Sequence, residues 1–262
     1  MMERSLGAEG RVAELTALVS GAASKRGIGR GVALRLAREG RPIALLDRDR
    51  QLLDEAERAV RVEGAEDVAC VVADVTDPEG VRSAYEKVSG LLPPVGAVVH
   101  CAGVADPTPI DGLSSGAFAN TIAVNLIGAF TLFSQALPTM RELGVGRLVA
   151  ISSTAAQNGG GNYSRSAYAA SKAGLEGLMR GIGHELAGMG VTANSVSPAN
   201  IDTDIMGGPL SGARREAFVE RTPVGRLGTV EEVAELVAFL VGPLGGFSTG
   251  ATYYLNGGMY MG

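Results

Sequence analysis

Tyr168 and Lys172 stand four residues apart in "SAYAASKAG", within a stretch of helical period, so they share one face a turn apart. An ordinary phenol, with a pKa of about 10, is a poor proton carrier at neutral pH. A neighbouring ammonium favours the phenolate and lowers that value. The pair therefore suits proton exchange with a substrate oxygen, although many helices contain such a pair by accident and Tyr168 alone reads as a half-buried aromatic. Ser153, upstream in "AISSTAAQ", offers a hydroxyl to hold the same oxygen. Asn125 interrupts the apolar run "AVNLIGAF", where burial without partners would be costly. Tyr163 is a decoy, because position 167 is Ala and supplies no ammonium.

A second cluster is the glycine-rich link "SGAASKRGIGRG" at 20–31, between an apolar run and a helical one. Gly21, Gly27 and Gly29 permit a tight turn and close backbone approach, and a helix starting at Ile28 presents free N–H groups to a phosphate. Taken alone, a plain strand-to-helix turn explains these glycines equally well. Asp47, at the end of the second apolar run, tips the balance, because a carboxylate there accepts both ribose hydroxyls of an adenosine. Asp74, in "ADVTD", is placed for an adenine amino group or, equally, as a helix N-cap. Arg26 and Arg48 are cations suited to a 2′-phosphate. Asp47 opposes them: a carboxylate ~4 Å from a phosphate charge costs about 4 kcal/mol at an effective dielectric of 20. NAD is the expected cofactor and NADP the alternative.

These side chains need strands to carry them. Apolar runs at 15–20, 42–47, 67–73, 96–101, 146–153, 192–197 and 251–256 alternate with helical stretches near 28–39, 50–63, 78–90, 114–142, 166–189 and 229–241. Nearly continuous apolar strands are those buried on both faces. The alternation predicts an α/β fold: a three-layer, doubly wound Rossmann sheet of seven parallel strands in a single domain over 1–262. Ligands of such sheets bind beyond the carboxyl ends of the strands. The loops that matter are then 21–27, 48–49, 74–77, 102–113, 154–165 and 198–224. Residues 1–10 read as a flexible lead, and 200–225 as a mobile cover over a substrate pocket.

Over nearly its full length the chain resembles the short-chain dehydrogenase/reductase family in its compact form. The family's first loop, Thr-Gly-x3-Gly-x-Gly, appears as Ser20-Gly21, five residues, then Gly27-Ile28-Gly29, two residues longer and opening on Ser. Asn125, Ser153, Tyr168 and Lys172 match the catalytic four in order. Ser153 precedes Tyr168 by 15 positions where 13 is usual, a difference that Gly159–Gly161 can absorb. The resemblance implies hydride transfer between a nicotinamide and a carbinol or carbonyl carbon. Tyr168 would be the general base or acid, Ser153 would position the oxygen, and Lys172 would tune Tyr168 and bind the nicotinamide ribose. Asn125 would interrupt its helix and hold a water serving the proton path. The positive nicotinamide would also lower the Tyr168 pKa. The Asn-Asn-Ala-Gly motif appears as His100-Cys101-Ala102-Gly103, with His100 expected to be a packing residue. The segment after the sixth strand reads "SPANIDTD", with Ile201 and Thr203 where the family grips the carboxamide. Expected cofactor contacts are thus Gly21, Arg26, Gly27, Ile28, Asp47, Asp74, Val75, Cys101, Ala102, Gly103, Tyr168, Lys172, Ile201 and Thr203.

The 46 % hydrophobic content suits a buried core without a run of about 18 apolar residues. The polar start lacks a signal-peptide core, and a net charge of −5 speaks against nucleic acid as a partner. Cys70 and Cys101 fit a reducing, cytoplasmic setting, and the two separated histidines give no zinc cluster and no need for a metal. Substrate contacts are expected from Ser153, Asn162, Tyr168 and Asn200, with Thr154, Ala155, Gln157 and Asn158 nearby. Such a polar wall suits a polyol, a sugar derivative or a cyclic alcohol, or consists of solvated loop. A 3-oxoacyl reductase using NADP is the enzyme alternative, and a non-catalytic dinucleotide binder the other. An enoyl reductase is disfavoured by the Tyr–Lys spacing. The surplus apolar faces of 114–142, Phe118, Ile127 and Phe130 among them, and the aromatic end "TYYLNGGMYMG", point to a homo-oligomer, which in the family is commonly a tetramer.

Overall fold

The computed structural model describes residues 10–262, so most of the segment read as a flexible lead lies outside the described residues. Seven strands form one parallel sheet: β1 (Thr16–Ser20), β2 (Ile43–Asp47), β3 (Val68–Val72), β4 (Val95–His100), β5 (Gly146–Ile151), β6 (Val191–Pro198) and β7 (Thr252–Leu255). Their order is β3-β2-β1-β4-β5-β6-β7, so the chain reverses its direction of travel between β1 and β4. Ser20 is registered against His100 at that junction, which opens a crevice at the carboxyl ends.

Side chains of one strand alternate between two cores. Ala17 and Val19 face the layer of α1 (Ile28–Ala37), α2 (Arg50–Val62) and α9 (Val230–Val241). Leu18 joins the opposite layer, with α3 (Pro78–Leu91), α5 (Gly128–Leu143) and α7 (Gly161–Leu186). Fully burying a valine or leucine such as Val19 or Leu18 contributes roughly 1.5–3 kcal/mol, which is why the strands read as unbroken apolar runs.

The long helical stretch is divided. α4 (Ser115–Ile122) passes through a π-helical turn at Ala123–Ile127 into α5. By length and composition Ser115–Leu143 could cross a bilayer. Here it covers the sheet, with Ala129, Leu132, Phe133, Ala136 and Met140 buried.

Three local expectations are corrected. The 198–224 loop contains a helix, α8 (Gly212–Arg221), whose mixed polar sequence carries little apolar periodicity. A short helix, α6 (Ala155–Asn158), precedes three successive glycines, Gly159, Gly160 and Gly161, all at positive φ. α7 then begins ahead of the predicted 166, with non-helical backbone at Arg165 separating its first residues from the regular helix. Finally, Asp77, not Asp74, is the N-cap of α3, accepting from the Glu79 amide. Asp74 instead accepts from the amide and hydroxyl of Thr76 (2.8 and 2.7 Å).

Candidate active site

One cleft of about 1090 Å³ runs along the carboxyl edge of the sheet. It is lined by Gly21, Gly27, Ile28, Asp47, Asp74 and Val75 toward β1–β3. Cys101, Ala102 and Gly103 line its middle, with Ser153, Tyr168 and Lys172 beyond them. Asn200, Ile201 and Thr203 line the edge after β6. The side chain of Asn162 lies outside the described residues.

The floor of the glycine loop is backbone on backbone. A Cβ on Gly29 would lie 2.3 Å from the Gly21 carbonyl oxygen, so only glycine lets α1 start this close to the turn. Gly21 itself, at φ 65°, leaves the same room against the Ala102 amide. Ser20, where the family has Thr, keeps the neighbouring loop in place. Its hydroxyl accepts from the Cys101 and Ala102 amides (3.3 and 3.4 Å) and bonds His100 Nδ1 at 3.1 Å. His100 is fully buried, and burial draws its pKa down to about 3, so it stays neutral and packs edge-on to Phe133. Burial likewise holds Cys101 as a thiol, pushed up to about 12.

Asp47 closes β2 half-buried, and its carboxylate accepts from the amides of Ala23 (3.0 Å) and Arg48 (2.8 Å). Arg26 does not line the cleft. Its Nη2 lies 2.5 Å from Asp202 Oδ1 and its Nη1 3.9 Å from Asp204 Oδ1, while Ser24 Oγ donates to Asp204 Oδ2 at 2.9 Å. The two extra residues of the loop therefore reach across to the segment after β6. Lys25 is taken by Glu55 at 2.7 Å.

The four chemistry-bearing residues come from three elements: Asn125 from the π turn, Ser153 from the loop after β5, and Tyr168 and Lys172 from α7. The left-handed glycines after α6 take up the longer Ser153–Tyr168 interval, and the two hydroxyls are hydrogen-bonded. Ser153 Oγ also accepts from the Ala155 amide at 3.1 Å. Lys172 Nζ is 5.5 Å from the centre of the Tyr168 ring and donates to the Ile151 carbonyl at 2.6 Å. The expectation that Lys172 lowers the phenol pKa is corrected for the protein by itself. Burial dominates and pushes Tyr168 up to about 12, and the Ser153 bond offsets only part of that. Burial also draws Lys172 down to about 8.

Asn125 sits in the π-helical turn with no exposed surface. It exchanges bonds with both backbone groups of Val104 (2.8 and 2.9 Å) and donates to Ser171 Oγ at 2.9 Å. The extra residue of a π turn aims this side chain inward, and its task in the chain is to fix the 103–105 loop beside Lys172.

Of the polar wall, Thr154, Asn158 and Asn200 line the cleft, whereas Gln157 turns away from it. Gln157 donates to both oxygens of buried Glu176 (2.9 and 2.8 Å), which also accepts from Ser152 Oγ at 2.7 Å. Asn200 Nδ2 donates to Thr222 Oγ1 at 3.0 Å and braces the end of α8. Sequence reasoning missed that Ser164, Arg214, Phe218, Arg221 and Met259 complete the lining. A helical i, i+4, i+7 pattern in 212–221 was the available signal.

A long crevice at the strand-order reversal, with a glycine cradle at one end and a Ser–Tyr–Lys cluster at the other, defines a dinucleotide-dependent oxidoreductase. A family model described as enoyl-(acyl carrier protein) reductase matches residues 21–260. The chain is 36 % identical over 251 residues to a Sphingomonas 2-dehydro-3-deoxy-L-rhamnonate dehydrogenase (NAD(+)), covering 95 % of this chain and 96 % of that one. It is equally 36 % identical over 248 residues to a 3-oxoacyl-(acyl-carrier-protein) reductase of Pseudomonas aeruginosa, covering 94 % and 97 %. A blue fluorescent protein from a metagenomic library, solved in complex with NADPH, superposes with a TM-score of 0.86 at 32 % identity, covering 94 % and 98 %. The chain belongs to the short-chain dehydrogenase/reductase family, whose members act on CH–OH or carbonyl groups with a nicotinamide dinucleotide.

Proposed function

We propose that the protein is an NAD-dependent dehydrogenase of a secondary alcohol, with a small hydroxylated compound such as a polyol, a sugar derivative or a cyclic alcohol as its substrate. The observation that carries the cofactor assignment is the pairing of Asp47 in the cleft with Arg26 outside it, held by Asp202. A 2′-phosphate would meet the Asp47 carboxylate with Arg48 beside it in the cleft but without Arg26. The Sphingomonas relative, named for NAD and for a hydroxylated acid, agrees with this reading.

A dinucleotide is supported by the amino end of α1 opening on the cleft, where Gly29, whose Cβ would lie 2.3 Å from the Gly21 carbonyl oxygen, lets the helix start this close to the turn. Gly21, Gly27 and Ile28 would hold its pyrophosphate, Asp47 the adenosine ribose, Asp74 and Val75 the adenine, and Ile201 and Thr203 the carboxamide. When bound, the nicotinamide supplies or accepts the hydride and brings a positive charge in its oxidised form. The remaining work falls to the chain. Ser153 orients the substrate oxygen, and Tyr168 takes its proton on oxidation and returns it on reduction. Lys172 holds its charge behind the phenol, and Asn125 fixes the loop beside it. Exposed Phe118, Ile127 and Phe130 on the α4–α5 surface support a homotetramer, and two free cysteines suit the cytoplasm.

The test is formation of reduced nicotinamide across polyols, cyclic alcohols and 3-hydroxyacyl thioesters with NAD and with NADP, against Tyr168→Phe. NAD-dependent turnover that falls by 10²–10⁴-fold in the variant supports the reading. Preference for NADP and 3-hydroxyacyl thioesters would replace it with a 3-oxoacyl reductase.

A further inference from the structure

Glu176 lies on α7 one turn beyond Lys172 and two turns beyond Tyr168, on the same face of the helix. It is buried, and its neighbours Leu175 and Met179 belong to the apolar core, yet it does not line the cleft. A buried carboxylate is costly unless its oxygens are bonded, and these are. Oε1 accepts from Ser152 Oγ at 2.7 Å, and the two oxygens share the Gln157 side-chain amide at 2.9 and 2.8 Å. Gln157 Oε1 in turn accepts from Ser197 Oγ of β6 at 3.3 Å.

The two residues tied to Glu176 bracket Ser153. Ser152 precedes it directly. Gln157 belongs to α6, whose first residue, Ala155, donates its amide to Ser153 Oγ at 3.1 Å. Only Gly159, Gly160 and Gly161, all at positive φ, join α6 to α7. Glycines restrict the chain least, so this link by itself does not fix the Ser153 side of the site against the Tyr168 side. Glu176 spans that gap, because it shares a helix with Tyr168 and bonds both residues that flank Ser153. An apolar side chain would fill the same core volume without desolvating a carboxylate, so packing alone does not account for Glu at this position.

We propose that Glu176 is a positioning residue that clamps Ser153 against Tyr168 through Ser152 and Gln157. The inference rests on the dehydrogenase reading above, in which one substrate oxygen must meet both hydroxyls.

Glu176→Leu keeps the packing and removes both acceptors. Glu176→Gln combined with Gln157→Glu exchanges amide and carboxylate, and keeps an acceptor for Ser152 and for Ser197. Three readouts are compared: turnover of a secondary alcohol with NAD, fluorescence titration of NADH, and the 19F resonance of Tyr168 in 3-fluorotyrosine-labelled protein. That resonance is assigned by its loss in Tyr168→Phe, and Ser153→Ala shows where it titrates without the Ser153 bond, which lowers the phenol pKa. Glu176→Leu should lower kcat by about ten- to a hundredfold with NADH affinity unchanged. It should also move the Tyr168 titration to higher pH, toward that of Ser153→Ala, and the exchanged pair should restore both. Gln157→Leu, at a half-buried position, removes one anchor and gives an intermediate shift even where Glu176→Leu does not fold. A Tyr168 titration or a kcat in Glu176→Leu equal to that of the unaltered protein, or a folded exchanged pair that restores neither, overturns the proposal. The resonance is read without turnover, so failure of every secondary alcohol removes the dehydrogenase reading while the clamp is still decided.

Discussion

Lys172→Met should make the cofactor-free protein more stable at neutral pH even as it removes activity. The Lys172 amine is buried and drawn from 10.5 to about 8, and the displacement corresponds to about 3 kcal/mol against the charged form. The sign follows from proton counting. Between pH 8 and 10.5 the unfolded chain binds more protons than the folded one, so stability rises with pH across that window. Below pH 8 the whole penalty is present. Methionine removes it but leaves the Ile151 carbonyl without the 2.6 Å bond from Nζ, a loss of about 1 kcal/mol. The net expectation is a gain of about 2 kcal/mol at pH 7, shrinking to zero and reversing near pH 10.5. Urea unfolding of both proteins at pH 7, 9 and 10.5, at one protomer concentration, measures it. A variant less stable at pH 7, or a difference that does not change with pH, would refute the reasoning.

Asp202→Asn keeps an acceptor for the Leu210 amide but removes the nearer of the two carboxylates beside Arg26; the KM for NADP should fall about tenfold, about 1.4 kcal/mol, with little change for NAD. Gly29→Ala places a Cβ 2.3 Å from the Gly21 carbonyl oxygen, so NADH affinity should drop by more than about tenfold, read by fluorescence titration. His100, buried neutral with its pKa drawn down to about 3, must remain uncharged in the fold while the unfolded chain takes up a proton below about pH 6.5. Stability therefore falls as pH drops from 6.5 toward 3, and His100→Asn should flatten that acid limb in thermal melts. With the phenol pushed up to about 12 by burial, alcohol oxidation should rise with pH until the cofactor-bound Tyr168 titrates, as kcat/KM profiles would show.

The strands were legible because double burial leaves an apolar run that nothing else in the chain imitates. Asp47 and the glycines were legible because their chemistry depends on residue type at the end of such a run. Asn125 stood out as an amide in an apolar helix, and the structure places it in a π turn between α4 and α5, where the resemblance implied an interrupted helix. α8 escaped notice because it covers a pocket instead of a core, so only Phe218 along it is buried. Gln157 looked like a pocket residue from its position, but the buried carboxylate of Glu176, 19 residues further on, claims its amide.

The sequence by itself determined the layer architecture and the edge of the sheet where the cleft lies, since these follow from periodicity and local residue type. Tertiary structure alone decided which charges meet. Arg26 and Asp202 are 176 residues apart, and their contact turns a cation suited to a 2′-phosphate into a tie between the glycine loop and the cover. Burial decided the proton affinities of Tyr168 and Lys172, because desolvation depends on everything packed around a group and not on its neighbours in the chain.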